Sequence, residues 1–178
     1  MRMDWEFVVL DFIQNYLTSG FGDIFMPFVS SLGNGGLVWI FIGVLLLTRK
    51  KYRKGGIAVL LGLLVMLVLG DNILKPWIAR LRPFQVHPID SLLILAPSGY
   101  SFPSGHTFSS FTAATILLWT DKKIGIPAFI LASLIGFSRL YLYVHFPSDV
   151  LAGIILGLAV GTVTWKIVEE YLFKKRNT

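Results

Sequence analysis

Residues 138–149 read SRLYLYVHFPSD, which sets an arginine, a histidine and an aspartate inside an otherwise apolar run. A buried charge is costly unless it is paired, so ionisable groups in such a run often mark a site. Pro147 suits the first position of a helix, which leaves His145 just before that helix and Asp149 in its first turn. The carboxylate can then orient the imidazole for chemistry. A structural pair of Arg139 with Asp149 explains these residues alone equally well.

The composition indicates a membrane protein. Of the 178 residues, 54% are hydrophobic, and the mean hydropathy of +0.70 is too high for a soluble domain of this size. The net charge of +6 does not indicate a nucleic-acid partner, because the basic residues form short runs between apolar segments, as in cytoplasmic loops. The chain has no cysteine, which excludes disulfide bonds and thiolate metal sites.

Apolar patterning predicts an all-α helix bundle that crosses the membrane about five times. The spans are predicted at residues 37–48, 56–74, 105–120, 125–144 and 150–173. Residues 4–32 mix apolar and polar positions and are predicted to form two short helices lying at the interface. Pro76 is expected to end the second span. The fifth span carries Gly153, Gly157 and Gly161, a small-residue ridge for close helix packing.

Four helix ends meet at one membrane face if the spans alternate in direction. The polar residues at those ends are Lys75 and Arg82 after the second span, Ser104 and His106 before the third, Arg139 and His145 at the end of the fourth, and Asp149 at the start of the fifth. Such a convergence arises by chance far less readily than any single motif. It therefore favours a functional site over a structural ion pair.

The residue types gathered there suit a phosphate group. Lys75, Arg82 and Arg139 supply three cations, and guanidinium forks match phosphoryl oxygens bidentately. Ser104 suits the N-cap of the third span and Gly105 allows close backbone approach, so that free N–H groups and the helix dipole face an anion. Taken alone, Lys75 and Arg82 also fit snorkelling at a membrane interface, and Ser104 fits an ordinary helix cap.

Two other charged residues near these motifs are assigned supporting roles. Arg80 is predicted only to snorkel toward the headgroups. Asp71 lies alone near the end of a span and is predicted to be a partner for an arginine rather than a catalytic acid. No acidic cluster accompanies the cations, so the sequence predicts neither a metal site nor another cofactor.

Three motifs carry the site residues in a fixed order. They are Lys75-x6-Arg82-Pro83, Pro103-Ser104-Gly105-His106 and Ser138-Arg139-x5-His145-x3-Asp149. In order and spacing they resemble the signature motifs of the type 2 phosphatidic acid phosphatase (PAP2) family. The chain is predicted to form one integral membrane domain over residues 1–178, with interfacial helices in 1–34 and a transmembrane core in 35–173 that the resemblance implies is PAP2/haloperoxidase-like. Many bacterial members of the family resemble a six-span design, so the resemblance leaves a sixth span possible, although the interfacial helices here take the place of a first long span. A soluble haloperoxidase-like protein is excluded by the hydropathy.

The resemblance also implies a role for each site residue. His145 would attack phosphorus to form a phosphohistidine, with Asp149 fixing its tautomer. His106 would protonate the leaving oxygen and later activate water. The phosphate would be held by Lys75, Arg82, Ser104, Gly105 and Arg139 in place of a metal ion.

The predicted substrate is a lipid phosphate or diphosphate lying in the bilayer. Undecaprenyl diphosphate is the first expectation, and phosphatidic acid or phosphatidylglycerophosphate is the alternative. A non-catalytic protein that binds or transports lipid phosphates is a hypothesis of another class. His106, His145 and Asp149 argue against it, because binding needs cations but no positioned nucleophile. No obligatory protein partner is predicted.

The distribution of basic residues predicts the orientation in a plasma membrane. Ten of the 16 Lys and Arg residues fall in the runs 49–54, 122–123 and 174–176, on the face opposite the motifs. Lysine and arginine in short loops mark the cytoplasmic side. The site is therefore expected on the extracytoplasmic face of a multi-pass protein.

Overall fold

The computed structural model describes residues 4–89 and 91–173, and those residues form helices, turns and loops with no β-strand. The helices are α1 (Asp4–Tyr16), α2 (Gly20–Leu32), α3 (Leu37–Leu47), α4 (Arg53–Met66), α5 (Lys75–Ile78), α6 (Pro83–Val86), α7 (Gly105–Thr120), α8 (Lys122–Tyr141) and α9 (Pro147–Ile167). A 3₁₀ turn at Asn34–Gly36 precedes α3, and π-helical stretches at Leu67–Leu74 and Val168–Phe173 extend α4 and α9. The predicted all-α membrane bundle is confirmed.

Length and composition identify fewer candidate spans than the sequence predicted. Among the described residues, the stretches Arg53–Val86, Lys122–Tyr141 and Pro147–Tyr171 are long and apolar enough to cross a membrane. Helices α2 and α3 pass the same test only as a pair bent by 45°. Helix α7 has only 16 residues, which is short for a bilayer core. The described residues thus supply three candidate spans, or four with the bent pair, where about five were predicted.

Helix α9 lies against α7 along its glycine ridge. A Cβ atom on Gly157 would stand 2.6 Å from Cβ of Phe111, and one on Gly161 would stand 2.7 Å from Cβ of Thr115. Gly153 meets Thr107 in the same way, so the contacts advance together along both helices. The predicted ridge is therefore confirmed as a close helix contact. The two helices run parallel, and their N-termini share one end of the bundle.

Helix α4 runs antiparallel to α7 and delivers its C-terminal end to the same place. Gly55 lies against Thr120 at the end of α7, and Gly70 lies against Phe108 near its start. The chain beyond Gly70 therefore reaches the end of the bundle where α7 begins. This contact pattern brings the first motif beside the second.

The prediction that Pro76 ends this span is wrong, because helix continues to Ile78. The π-helical stretch Leu67–Leu74 precedes the proline and passes directly into α5 at Lys75. Pro76 therefore lies just after a stretch whose backbone hydrogen bonds are already shifted from the α-helical pattern. Ala79 then adopts a left-handed conformation with φ of 50° and ends the helix.

The N-terminal segment forms two short helices, as predicted, and both pack on the bundle. Helix α2 lies against α8, and α1 contacts α8 and α9 through buried residues that include Leu10 and Ile13. The turn after α2 passes the start of α7, with Gly35 and Gly36 in the left-handed region at φ of 56° and 68°. This turn brings residues of the N-terminal segment to the end of the bundle that carries the motifs.

Candidate active site

Three motifs meet where α5, α7 and α9 begin and α8 ends. The boundaries of the last two helices differ from the prediction, since α8 ends at Tyr141 rather than Val144 and α9 begins at Pro147 rather than Val150. His145 therefore lies in the short loop between them, and Asp149 lies in the first turn of α9. Pro147 occupies the first helical turn as predicted.

His145 is buried, with 2% of its surface exposed, and it contacts Asp149 mainly through a third residue. The imidazole Nδ1 lies 3.6 Å from Oδ2 of Asp149. The hydroxyl of Ser101 lies 3.3 Å from the same Nδ1 and donates to Asp149 Oδ2 at 2.5 Å. The backbone N–H of Phe146 also donates to that carboxylate oxygen, at 2.8 Å. Ser101, which the motif pattern did not identify, thus connects the histidine to the aspartate.

Arg82 fixes the tautomer of His145. Its Nη1 lies 3.2 Å from Nε2 of the imidazole, and a guanidinium group can only donate. Nε2 must therefore accept, which leaves the proton of the neutral ring on Nδ1, facing Ser101 and Asp149. Burial lowers the pKa of His145 to about 3, with Asp149 opposing this shift and the nearby arginines adding to it. The ring is consequently neutral at pH 7, with the lone pair of Nε2 facing Arg82.

The Arg82 side chain is held as a planar fork inside the protein and does not snorkel. It is 3% exposed, and Nη1 donates to the carbonyl of Val144 at 2.9 Å. Its other nitrogen atoms donate to the carbonyl oxygens of Ser98, Gly99 and Tyr100. The guanidinium plane is thereby fixed beside His145.

Arg139 is also buried, with 2% exposure, at the end of α8. Its Nη1 donates to the hydroxyl of Ser30 on α2. Its Nε has no hydrogen-bond partner within the described part of the chain. A buried donor of this kind is costly unless something binds it, so Arg139 retains a donor for an anion.

Lys75 stands next to the start of α7. Its Nζ lies 2.6 Å from Oδ1 of Asp71, and a Cβ atom on Gly105 would lie 3.4 Å from the same Nζ. The prediction that Asp71 pairs with an arginine is therefore wrong, since its partner is the lysine one helical turn later. Because Gly105 has no side chain, the Lys75 ammonium group lies close to the first turn of α7. This agrees with the predicted close approach to the backbone at Gly105.

Ser104 and His106 flank Gly105 as the second motif requires. Ser104 occupies the N-cap position of α7, but its hydroxyl pairs with Thr107 Oγ1 at 2.9 Å and makes no capping bond to the backbone. His106 Nε2 lies 2.8 Å from Oδ1 of Asn34, in the turn before α3. The first amides of α7 are thus left uncapped by the Ser104 side chain.

The prediction that Arg80 only snorkels is wrong. Its Nη1 lies 2.7 Å from Oδ1 of Asp149, and its Nη2 lies 2.5 Å from Oε2 of Glu6 on α1. The guanidinium also lies over the ring of Phe146, 4.0 Å from its centre. Glu6 is 4% exposed and accepts from the Ser148 hydroxyl as well. Asp149 is therefore held by Arg80 on one oxygen and by Ser101 on the other.

Two cavities, each of about 430 Å³, reach His106 from different sides. The first lies along α3 and α4 and has walls of Ile40, Leu60, Leu63, Leu64 and Leu67, with Lys75 and His106 at its polar end. The second includes Arg139, Ser30 and Asn34 together with residues 94–97. Within residues 4–89 and 91–173, no group of three or more His, Asp or Glu side chains is arranged to hold a metal ion.

The site also contains contacts that the sequence did not indicate. Glu6, Ser30, Asn34 and Ser101 each touch a motif residue or its partner. Glu6 and Ser30 belong to the N-terminal helices and Asn34 to the turn that follows them, all far from the motifs in sequence. Only Ser101 lies close to a motif, and no local pattern distinguishes it from other loop serines.

Comparison with known proteins places the chain in a family. The model of the PAP2 superfamily matches residues 55–172. The undecaprenyl-diphosphatase of Sulfolobus acidocaldarius is 38% identical over 151 residues, which make up 84% of this chain and 72% of that protein. The chain belongs to the PAP2 superfamily. It is a membrane lipid phosphatase of the PAP2 type.

Two solved structures share the fold. The crystal structure of the PAP2 type phosphatidylglycerolphosphate phosphatase from Bacillus subtilis has a TM-score of 0.70 and 25% identity, with 94% of each chain covered. The crystal structure of Aquifex aeolicus LpxE has a TM-score of 0.73 and 29% identity, covering 93% of this chain and 97% of that one.

Proposed function

We propose that the protein hydrolyses a lipid diphosphate or phosphate through a phosphohistidine, and that undecaprenyl diphosphate is its substrate. The observation that carries this proposal is the fixed state of His145. Its Nε2 is unprotonated beside Arg82, while Nδ1 faces Ser101 and Asp149. A phosphoryl group bound by Arg82 would meet the lone pair of the nucleophile directly.

The reaction is proposed to proceed in two displacements. In the first, Nε2 of His145 forms a bond to phosphorus, the bond from phosphorus to the lipid oxygen breaks, and His106 donates a proton to that oxygen. In the second, His106 removes a proton from water, the water oxygen attacks phosphorus, and inorganic phosphate leaves His145. Asp149, held by Arg80 and Ser101, stabilises the positive charge that develops on the His145 ring.

The cations near His145 are proposed to replace a metal ion. Arg82 and Arg139 are buried, and Lys75 lies beside Gly105 at the start of α7, whose first amides are not capped by the Ser104 side chain. Positive groups fixed in this way stabilise charge on the equatorial oxygens of the transferring phosphoryl group.

The cavity along α3 and α4 supports a lipid substrate. Its apolar walls suit a hydrocarbon chain, and its polar end at Lys75 and His106 suits the attached phosphate. The sequence relative named undecaprenyl-diphosphatase favours a polyprenyl diphosphate. The structural similarity to a phosphatidylglycerolphosphate phosphatase favours phosphatidylglycerophosphate as the second candidate.

Phosphate release by the purified protein in detergent tests the substrate and the metal requirement together. The three lipids to compare are undecaprenyl diphosphate, phosphatidylglycerophosphate and phosphatidic acid. Undecaprenyl diphosphate is expected to give the highest kcat/KM. Excess chelator is expected to leave the rate unchanged, because the three cations supply the charge. The His145→Ala variant gives the background. Activity that is lost with chelator and restored by Mg²⁺ would contradict the electrostatic account.

The active site is proposed to face the outside of the plasma membrane. Lys51 pairs with Asp121, and Lys54 pairs with Glu169, so the basic runs 49–54 and 122–123 lie near one another. This grouping supports a cytoplasmic location for the end opposite the motifs. The third basic run, at 174–176, lies outside the described residues.

Thiol labelling of this cysteine-free chain tests the orientation. A cysteine in place of the exposed Leu95, on the motif side, is expected to react with an impermeant reagent in intact cells. A cysteine in place of the exposed Lys50 is expected to react only after the cells are opened. The opposite pattern would place the site in the cytoplasm and shift the substrate toward lipids of the inner leaflet.

A further inference from the structure

The turn before α3 is built against the ring of His106. Oδ1 of Asn34 lies 2.8 Å from Nε2 of the imidazole. A Cβ atom on Gly33 would lie 2.8 Å from the ring Cδ2, so only glycine lets the turn approach so closely. Gly35 and Gly36, both left-handed, then lead the chain into α3, at an angle of 45° to α2. The local sequence of residues 33–36 is therefore shaped to bring an amide to this histidine.

We infer that Asn34 is a positioning residue for proton transfer by His106. An amide oxygen accepts only, so Nε2 must carry a proton and donate it to Oδ1. Nδ1, protonated in the imidazolium form of the ring, is then the nitrogen that gives its proton to the leaving oxygen, and in the resulting neutral ring it takes one from water. This inference rests on the proposed function, and it assigns a role to a residue outside the 55–172 region of the family match.

Fixing the ring in this way has a kinetic consequence. A general acid must hold its proton within hydrogen-bond reach of the departing oxygen, and small misplacements cost large factors in rate. His106 is reached from two cavities, so it has open space on two sides, and the bond to Asn34 is its one hydrogen-bonded anchor among the described side chains. Loss of that bond frees the ring to rotate away from the leaving group.

A purely structural role for Asn34 makes a different prediction. The residue is exposed and lies in a turn, so its replacement disturbs no buried core. If it merely shaped the turn, substitution would lower the rate equally for every substrate. If it orients a general acid, substitution would matter only where the leaving group needs a proton.

The test compares two leaving groups in the full-length protein. For phosphatidic acid, whose diacylglycerol leaves as an alkoxide, Asn34→Ala is expected to lower kcat about 10- to 100-fold with little change in KM. For p-nitrophenyl phosphate, whose leaving group is stable as an anion, the expected loss is less than about threefold. His106→Ala should show the same pattern with larger factors. Asn34→Asp keeps the acceptor and is expected to restore most of the rate.

The control variant is Ser31→Ala, in the same region. Its hydroxyl bonds to the Phe28 carbonyl and does not touch His106, so wild-type kinetics are expected with both substrates. Thermal unfolding of each variant checks that the fold is retained. An equal loss with both substrates for Asn34→Ala, or no loss with phosphatidic acid, overturns the role of Asn34. If the wild-type protein released no phosphate from any substrate, the proposed function itself would fail.

Discussion

His145→Ala is expected to abolish phosphate release, with kcat lowered at least about 10,000-fold, as for loss of a catalytic nucleophile in other enzymes. The nucleophile cannot be replaced locally, because the other motif histidine, His106, is bonded to Asn34. The measurement is phosphate release from the preferred lipid at saturating concentration. His145→Asn, with a smaller change in volume, is expected to be equally inactive.

The matched control for this change is His87→Ala. His87 is an exposed histidine that stacks on Phe7, with 3.9 Å between ring centres, and lies outside the motifs. Its loss is expected to leave kcat within about twofold of the wild-type value, as for most surface changes. A near-normal rate for His145→Ala would require another nucleophile and would remove the basis of the mechanism.

Arg82→Lys is expected to lower kcat/KM about 100- to 1,000-fold. This is the usual effect of removing hydrogen-bond donors that are fixed in place to stabilise charge in the transition state. Lysine keeps the positive charge but cannot reproduce the planar fork. In the folded protein the guanidinium donates to the Val144 and Gly99 carbonyls while it faces Nε2 of His145. An ammonium group can satisfy only part of this set, so it also leaves buried carbonyl oxygens without donors.

Vanadate inhibition adds a readout specific to the transition state. Vanadate resembles the five-coordinate phosphoryl group, so Arg82→Lys is expected to weaken its binding by a similar factor. The control is Arg53→Lys, at the other end of the bundle, whose Nε donates to the carbonyl of Leu47. Arg53→Lys should leave kcat/KM and vanadate binding unchanged. Retention of kcat/KM within about threefold for Arg82→Lys would mean that charge alone is sufficient.

Local sequence signals located much of the core correctly. Helix α7 begins at Gly105 and ends at Thr120, as its apolar run and the preceding serine predicted. The glycine ridge of α9 does contact a neighbouring helix closely. Helix directions followed from alternation, and the direction of each helix determines which motifs share a membrane face. These features depend on periodicity and spacing within short segments, which the sequence displays directly.

Most of the missed interactions join distant parts of the chain, although the Asp71–Lys75 pair spans only four residues. Arg80 pairs with Glu6, which is 74 positions away, and no local sequence pattern predicts that contact. Pro76 did not end its helix, because a π-helical stretch precedes it and packing against α7 supports that geometry. Asn34 reaches His106 only after the turn at Asn34–Gly36 and α3 pack against α7. Tertiary packing decides each of these features, so periodicity in one segment cannot reveal them.

The central claim is that phosphate passes through His145, and trapping the covalent intermediate tests it most directly. The protein is mixed with a lipid diphosphate carrying a radiolabelled terminal phosphate, quenched in base within one turnover, and digested for peptide mapping. The account predicts an acid-labile, base-stable label on the peptide that contains His145, absent from His145→Ala. A label on His106 or on a hydroxyl residue, or complete hydrolysis with no labelled protein at any time, would contradict it.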